Sequence, residues 1–73
     1  MKILIIEDEY QLLTAIEAFL LSEKYVVEKA ADYHAAVEKA LVYDYDCILL
    51  DISLPGGSGL KILEEMKKEG KSG

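Results

Sequence analysis

The sequence has no tryptophan and no arginine, and it contains a single cysteine, a single proline and a single histidine. One cysteine cannot form an internal disulfide, which indicates a reduced, cytoplasmic protein. All eight basic residues are scattered lysines and the net charge is −6, which argues against a nucleic-acid surface in this chain. No apolar run approaches the roughly 18 residues of a membrane span. Met1-Lys2 leads into a short strand pattern instead of a signal peptide.

Two short apolar runs are present, and each ends in carboxylates. Ile3–Ile6 is followed by Glu7 and Asp8, and Cys47–Leu50 is followed by Asp51. An unbroken apolar run bounded by turn residues is typical of a strand buried on both faces of a parallel sheet. Open α/β sheets bind their ligands at the carboxyl ends of such strands. If the two strands are neighbours, we expect the three carboxylates to meet at one edge of the sheet.

A helical pattern follows the first strand. Apolar residues recur at three- and four-residue steps from Asp8 to about Ser22, and Asp8 and Glu9 would occupy the first turn, where the helix dipole favours negative charge. A second, more mixed strand is predicted at Tyr25–Ala30, which suits a sheet edge. The core positions predicted for the helix are Leu12, Leu13, Ile16, Phe19 and Leu20.

Two further helices complete the pattern. Asp32 is a candidate N-cap for a helix through Tyr43, and Ser58 is one for a last helix that stops at Gly70. The core positions predicted for these helices are Ala36, Val37, Ala40 and Leu41, then Leu60, Ile62, Leu63 and Met66. Strictly alternating strands and helices in 73 residues predict a small α/β domain, with a parallel sheet covered by helices on both sides.

Carboxylates gathered at one edge would repel one another unless a cation neutralised them. Oxygen ligands of this kind suit Mg²⁺. A carboxylate beside such a metal can attack a phosphoryl group and form an acyl phosphate. Isolated acids at strand ends are usually solvated loop residues, but Asp51 follows four apolar residues and precedes a Pro/Gly turn. Asp51 is therefore the strongest candidate for the nucleophile.

The two acidic segments also carry a resemblance to a known family. Residues 2–9, KILIIEDE, and residues 46–60, DCILLDISLPGGSGL, resemble the two acidic motifs of the receiver domain of bacterial two-component response regulators. The resemblance covers the whole chain, since the helices and the second strand also fall where the family has them. It implies a flavodoxin-like α/β fold, with the three strands parallel and in the spatial order 2-1-3.

The resemblance assigns roles to particular residues. It implies that Asp51 accepts a phosphoryl group from a sensor histidine kinase. It further implies a Mg²⁺ site in which Asp8 binds directly, Glu7 acts largely through water and Ser53 offers its backbone carbonyl. The protein would be a phosphoacceptor and not an enzyme. The motifs are most similar to those of receivers that precede a winged-helix DNA-binding domain, so any contact with DNA would be made by a domain outside this chain.

The resemblance also predicts what these residues do not supply. A receiver has five strands and about 120 residues, so residues 1–73 would be a partial receiver domain, with three strands and three helices. The hydroxyl residue, the lysine and the switch aromatic that act on the phosphoryl group belong to the other part. Because phosphoryl transfer depends on positioning and charge stabilisation, we expect phosphorylation of Asp51 to be slow or absent in this form.

Two alternatives remain open. The half-domain could act solely as a self-associating interaction module, or the acids could serve a small phosphotransferase or phosphatase. Ser53 stands where the common aspartyl-phosphatase pattern has a second aspartate, which counts against the latter. Under any of these readings, three strands of a five-stranded sheet would leave Cys47–Leu50 as a sheet edge that can pair with another strand, and part of the Ile3–Ile6 face would lack cover. We therefore expect a homo-oligomer, formed by two-fold antiparallel strand pairing or by segment exchange.

Overall fold

A parallel three-stranded sheet organises the chain. The computed structural model describes residues 1–51 and 53–70. The elements in chain order are β1 (Lys2–Ile6), α1 (Tyr10–Ser22), β2 (Val26–Ala30), α2 (Tyr33–Val42), β3 (Cys47–Leu50), β4 (Ser53–Leu54), β5 (Gly57–Ser58) and α3 (Gly59–Lys68). The sheet order is β2-β1-β3, and both pairings are parallel. The order 2-1-3 and the three helices predicted from the sequence are confirmed.

The apolar run of β1 is buried on both faces of the sheet. Leu4 and Ile6 belong to a cluster with residues of α2 and α3, whereas Ile3 and Ile5 pack in a second cluster with α1. All four side chains are no more than 4% exposed. The expectation that part of this face would lack cover is wrong, because Leu13 and Leu20 of α1 close it.

The first helix begins later than the sequence pattern indicates. Asp8 and Glu9 precede α1, which starts at Tyr10, and Glu9 is the N-cap without a side-chain capping bond. Glu9 has an extended backbone (φ −78°, ψ 109°), which excludes it from the helix, and its amide donates to the Glu7 carboxylate at 3.1 Å. The caps predicted for the other helices are confirmed, since Asp32 accepts from the Ala35 amide at 2.8 Å and Ser58 from the Leu60 amide at 3.2 Å.

Four of the predicted core positions are exposed instead. Leu12, Phe19, Leu60 and Leu63 are 43%, 63%, 54% and 44% exposed. Leu12 and Phe19 each precede a buried leucine by one residue, so they lie about 100° around the helix from the buried stripe. A helix that packs on one side against a sheet cannot bury so wide an apolar surface. Among the described residues, no helix is long and apolar enough to cross a membrane.

A polar network centred on Glu28 ties β1, β2 and α2 together. Its carboxylate accepts from the Tyr45 hydroxyl at 3.0 Å and from Lys39 at 3.5 Å, and it pairs with Lys2 at 3.3 Å. The Tyr45 hydrogen bond and the two lysines hold the pKa of Glu28 below its usual value, against partial burial, which raises it. Burial, together with the Glu28 charge, raises the pKa of the Tyr45 hydroxyl.

The network predicts an acid-dependent stability. Because the folded-state pKa of Glu28 lies below its value of 4.5 in the unfolded chain, its contribution is present above 4.5 and is lost as the pH falls through the folded-state pKa. We expect Tyr45→Phe to lower the free energy of unfolding by about 1 kcal/mol at neutral pH, and by less once Glu28 is protonated. Thermal melts of the parent and of Tyr45→Phe, from neutral pH down to a pH at which Glu28 is protonated, measure this difference in stability.

The matched control is Tyr10→Phe, since Tyr10 is 77% exposed. It should melt like the parent at every pH. A loss of stability in Tyr45→Phe that stays constant down to acidic pH would show that the hydroxyl acts on something other than the ionised Glu28.

Candidate metal and phosphoryl site

The hydrogen-bond ladder of the sheet continues one residue beyond β1 and β3. The Glu7 amide donates to the Ala30 carbonyl at 3.0 Å, and the Asp51 amide donates to the Ile6 carbonyl at 2.8 Å. Glu7 and Asp51 are therefore held by neighbouring strands at the end of the sheet where the strands have their carboxyl ends, which we call the carboxyl edge of the sheet. Two adjacent apolar strands that end in register place these acids side by side.

The carboxylates of Glu7, Asp8 and Asp51 converge at this edge. One oxygen from each lies within 4.8 Å of the others, with Glu7 and Asp51 half-buried and Asp8 exposed. The structure thus brings together the three carboxylates that the sequence placed at adjacent strand ends. Their roles in binding and transfer stay predictions.

Glu7 experiences competing electrostatic influences. The strongest is the hydrogen bond from the Glu9 amide, which lowers the pKa of Glu7. Burial, the charge of Asp51 and hydrogen bonds with Asp51 and Asp8 act in the opposite direction, and together they raise the pKa above its usual value. The negative charges therefore repel one another at neutral pH, and a cation bound between them would relieve that repulsion.

The donor set fits a hard divalent cation. Three carboxylate oxygens that span less than 5 Å offer oxygen ligands without nitrogen or sulfur, and the exposure of Asp8 leaves room for water. Mg²⁺ takes one or two carboxylates and keeps several waters. Among the three acids, the Oε2 atom of Glu7 already accepts a hydrogen bond from the Glu9 amide.

Residues 53–58 form a small hairpin, which was not predicted from the sequence. β4 and β5 pair antiparallel, with Ser53 opposite Ser58 and Leu54 opposite Gly57. Pro55 and Gly56 connect them, and Gly56 has φ +89°, a left-handed conformation that favours glycine. Proline followed by glycine at the centre of a four-residue turn is the type II signal that could have revealed the hairpin. Ser53, the predicted carbonyl ligand, begins β4.

The hairpin contacts the start of α2 through Tyr33, a residue that was not predicted to belong to the site. The Tyr33 amide donates to the Pro55 carbonyl at 3.1 Å. The Tyr33 ring lies so close to Gly57 that a Cβ atom there would overlap it. Nothing in the local sequence around Tyr33 indicates this contact, because it joins segments more than twenty residues apart.

Comparison with known proteins identifies the family. The family model of the response regulator receiver domain matches residues 3–73, and the chain belongs to this family. Among curated relatives, the transcriptional regulatory protein DltR of Streptococcus agalactiae is 40% identical over 70 residues, which are 96% of this chain and 31% of DltR. The chain therefore spans about a third of the length of this relative.

Solved receiver structures share the fold. The response regulator TrrA of Thermotoga maritima, in complex with Mg²⁺-BeF, is 32% identical with a TM-score of 0.85, over 93% of this chain and 59% of TrrA. TrrA is also known in complex with the histidine kinase ThkA. The receiver domain of a sensor histidine kinase from Pseudomonas aeruginosa, with magnesium coordinated in its active site cleft, is 39% identical with a TM-score of 0.86. That match covers 92% of this chain and 55% of the other.

Proposed function

We propose that this chain carries the phosphoacceptor half of a two-component receiver, with Asp51 as the acceptor. The observation that carries the proposal is the convergence of Glu7, Asp8 and Asp51 within 4.8 Å at the carboxyl ends of two adjacent parallel strands. Membership of the receiver family supports it. The chain accepts a phosphoryl group and does not turn over substrate as an enzyme.

Each residue has a distinct part in this proposal. An Asp51 carboxylate oxygen attacks phosphorus, and the P–N bond of a phosphohistidine donor breaks as the new O–P bond forms. Asp8 and Asp51 hold Mg²⁺ directly, Glu7 binds through water, and the Ser53 backbone carbonyl completes the protein ligands. When bound, the metal ion neutralises charge on the phosphoryl oxygens. The pairing of Asp51 with the Ile6 carbonyl fixes the nucleophile relative to the carboxylates of β1.

The relatives support a donor and an output. TrrA forms a complex with a histidine kinase, so we propose a sensor histidine kinase as the donor for this chain. DltR is a transcriptional regulatory protein, so we propose that the parent of this domain controls transcription. Because the chain spans 31% of DltR, contact with DNA would belong to residues outside it.

Phosphoryl labelling tests the proposal. The 73-residue chain is incubated with Mg²⁺ and acetyl phosphate, then analysed by mass spectrometry under conditions that preserve an acyl phosphate. We expect slow labelling at Asp51, since the phosphoryl-binding groups that the resemblance assigns to the other part of a receiver are not supplied by these residues. Asp51→Asn and removal of Mg²⁺ should each abolish the label. Modification of Asp51→Asn at the parental rate would contradict the assignment.

The apolar surface beside β3 favours a second candidate, self-association of the isolated chain. Glu17 of α1 forms an ion pair with Lys29 of β2 at 3.2 Å, so this flank of α1 faces β2. Leu12 and Phe19 lie on the opposite flank of the helix and therefore on the side of β3. Leu49 of β3 is 38% exposed and shares that face, because it pairs with Ile5 under α1. Among the described strands, β3 is a sheet edge. A second copy could extend the sheet across a two-fold axis.

A further inference from the structure

We propose that Tyr33 is a positioning residue for the Asp51 site, acting through the hairpin of β4 and β5. This inference rests on the proposed function. It means that a residue of α2 influences the metal site, although α2 contributes none of the three clustered carboxylates. The residue would set where the Ser53 carbonyl stands relative to Asp51, because one residue separates Asp51 from β4.

Tyr33 holds the hairpin by two independent contacts. Its amide donates to the Pro55 carbonyl at 3.1 Å, at the tip of the turn. Its ring covers Gly57 on β5, where even a methyl group would collide with it, and its Cβ lies 3.5 Å from the position a Cβ would take at Gly56. Both contacts therefore involve the same residue. A sideways shift of the hairpin would break the hydrogen bond to Pro55 or bring Gly57 into collision with the Tyr33 ring.

Neighbouring contacts hold both Tyr33 and the hairpin in place. Asp32 caps α2 by accepting the Ala35 amide at 2.8 Å, which orients the first turn that bears Tyr33. The hairpin is anchored at its other side by Leu54, which is 8% exposed in the core cluster, and by Ser58, which caps α3. Between these two anchors, the position of the turn at Pro55 is set by its contact with α2. Because coupling between two sites is reciprocal, a change at the metal ligands would also alter the hydrogen bond of the Tyr33 amide.

The first test compares the parent with Tyr33→Phe, Tyr33→Ala and Tyr25→Ala. Tyr25 is the control for a simple loss of packing, since it lies against the α1 cluster on the other face of the sheet. Amide hydrogen exchange of Leu54, Gly56, Gly57 and Ser58 is measured without metal, and Mg²⁺ affinity is measured by chemical-shift titration under conditions in which every variant is folded. Tyr33→Ala should exchange faster in the hairpin and bind Mg²⁺ about 5-fold more weakly or worse. Tyr33→Phe should restore both values, and Tyr25→Ala should change neither.

A second variant tests the contact from the hairpin side. Gly57→Ala should weaken Mg²⁺ binding, because the added methyl displaces the Tyr33 ring. Combined with Tyr33→Ala, it should cost less than the sum of the single changes, since the methyl then has space. Strict additivity would overturn the contact as the cause.

The outcomes separate this inference from the proposed function. If the parent binds Mg²⁺ and Tyr33→Ala binds it equally well, the positioning role is wrong while the phosphoacceptor proposal stands. An equal loss of affinity in Tyr25→Ala would also overturn the positioning role, because it would show a general effect of destabilisation. If the parent binds no Mg²⁺ at all, the proposed function itself fails, and the positioning role fails with it.

Discussion

Asp51→Asn and Asp8→Asn should each weaken Mg²⁺ binding by at least about tenfold, since even residues that merely support metal ligands typically contribute that much. Each variant removes one of the three carboxylates that lie within 4.8 Å of one another. An asparagine keeps the size and one oxygen of the side chain but loses the charge that attracts the cation. Titration of amide chemical shifts around residues 6–9 and 51 gives the affinities.

Asp51→Asn should also stabilise the metal-free chain. Since the pKa of Glu7 is raised in the fold, the folded state holds its proton more tightly than the unfolded chain does, and stability falls as the pH rises through that pKa. At neutral pH, Asp51→Asn removes one source of repulsion. We expect a higher melting temperature without Mg²⁺, together with a smaller gain on adding Mg²⁺.

Glu38→Gln is the control for this pair of effects, because Glu38 is an exposed acid in the middle of α2. It removes the same charge away from the carboxyl edge of the sheet, and it should leave Mg²⁺ affinity close to that of the parent. If Asp8→Asn and Asp51→Asn titrate like Glu38→Gln, the metal site is wrongly placed.

The second large effect is expected at β3. Ile48→Lys should unfold the chain and dissociate any oligomer together, at a cost of about 3 kcal/mol or more. Ile48 pairs with Leu4, which is fully buried, and packs against the cluster that includes residues of α2 and α3. An ammonium group there would lie among apolar side chains with no counter-ion supplied by that cluster. Leu50→Lys, beside Ile6, should behave in the same way.

Leu49→Lys separates folding from association. Leu49 points to the opposite face and is 38% exposed, so a lysine there can reach water. If the isolated chain pairs through the β3 side, Leu49→Lys should remain folded by circular dichroism and sediment as a monomer, while the parent sediments as a dimer. A well-folded parent that sediments with the mass of one chain at micromolar concentration would refute self-association.

The predictions that held depend on signals contained in short segments. The apolar runs of β1 and β3 specified strands buried on both faces, and the acids directly after them had to meet once those strands were neighbours. Asp32 and Ser58 could be recognised as caps because a side chain and an amide two or three residues away form the cap. Such bonds leave a local pattern in the sequence.

The features that were not predicted depend on the backbone path between elements or on distant contacts. Asp8 and Glu9 have the charge that favours a helix start, but Glu9 has an extended backbone, so α1 begins after it. The helical spacing of Phe19 predicted a core position, but its side chain is exposed. The position of the sheet under α1 decides which apolar flank of the helix is buried. Tyr33 meets Gly57 across more than twenty residues of chain, so local patterns do not reveal it.

A titration with Mn²⁺, which prefers the same oxygen ligands as Mg²⁺, tests most directly whether Glu7, Asp8 and Asp51 form one metal site. Bound Mn²⁺ broadens the amide signals nearest to it in an isotopically labelled chain. Signals of residues 6–9 and 51 should broaden first and recover when excess Mg²⁺ is added, whereas those of Lys2 and Asp46, at the opposite edge of the sheet, should stay sharp. Broadening that begins around Asp46, or that spreads evenly over the chain, would contradict a metal site at the carboxyl ends of β1 and β3.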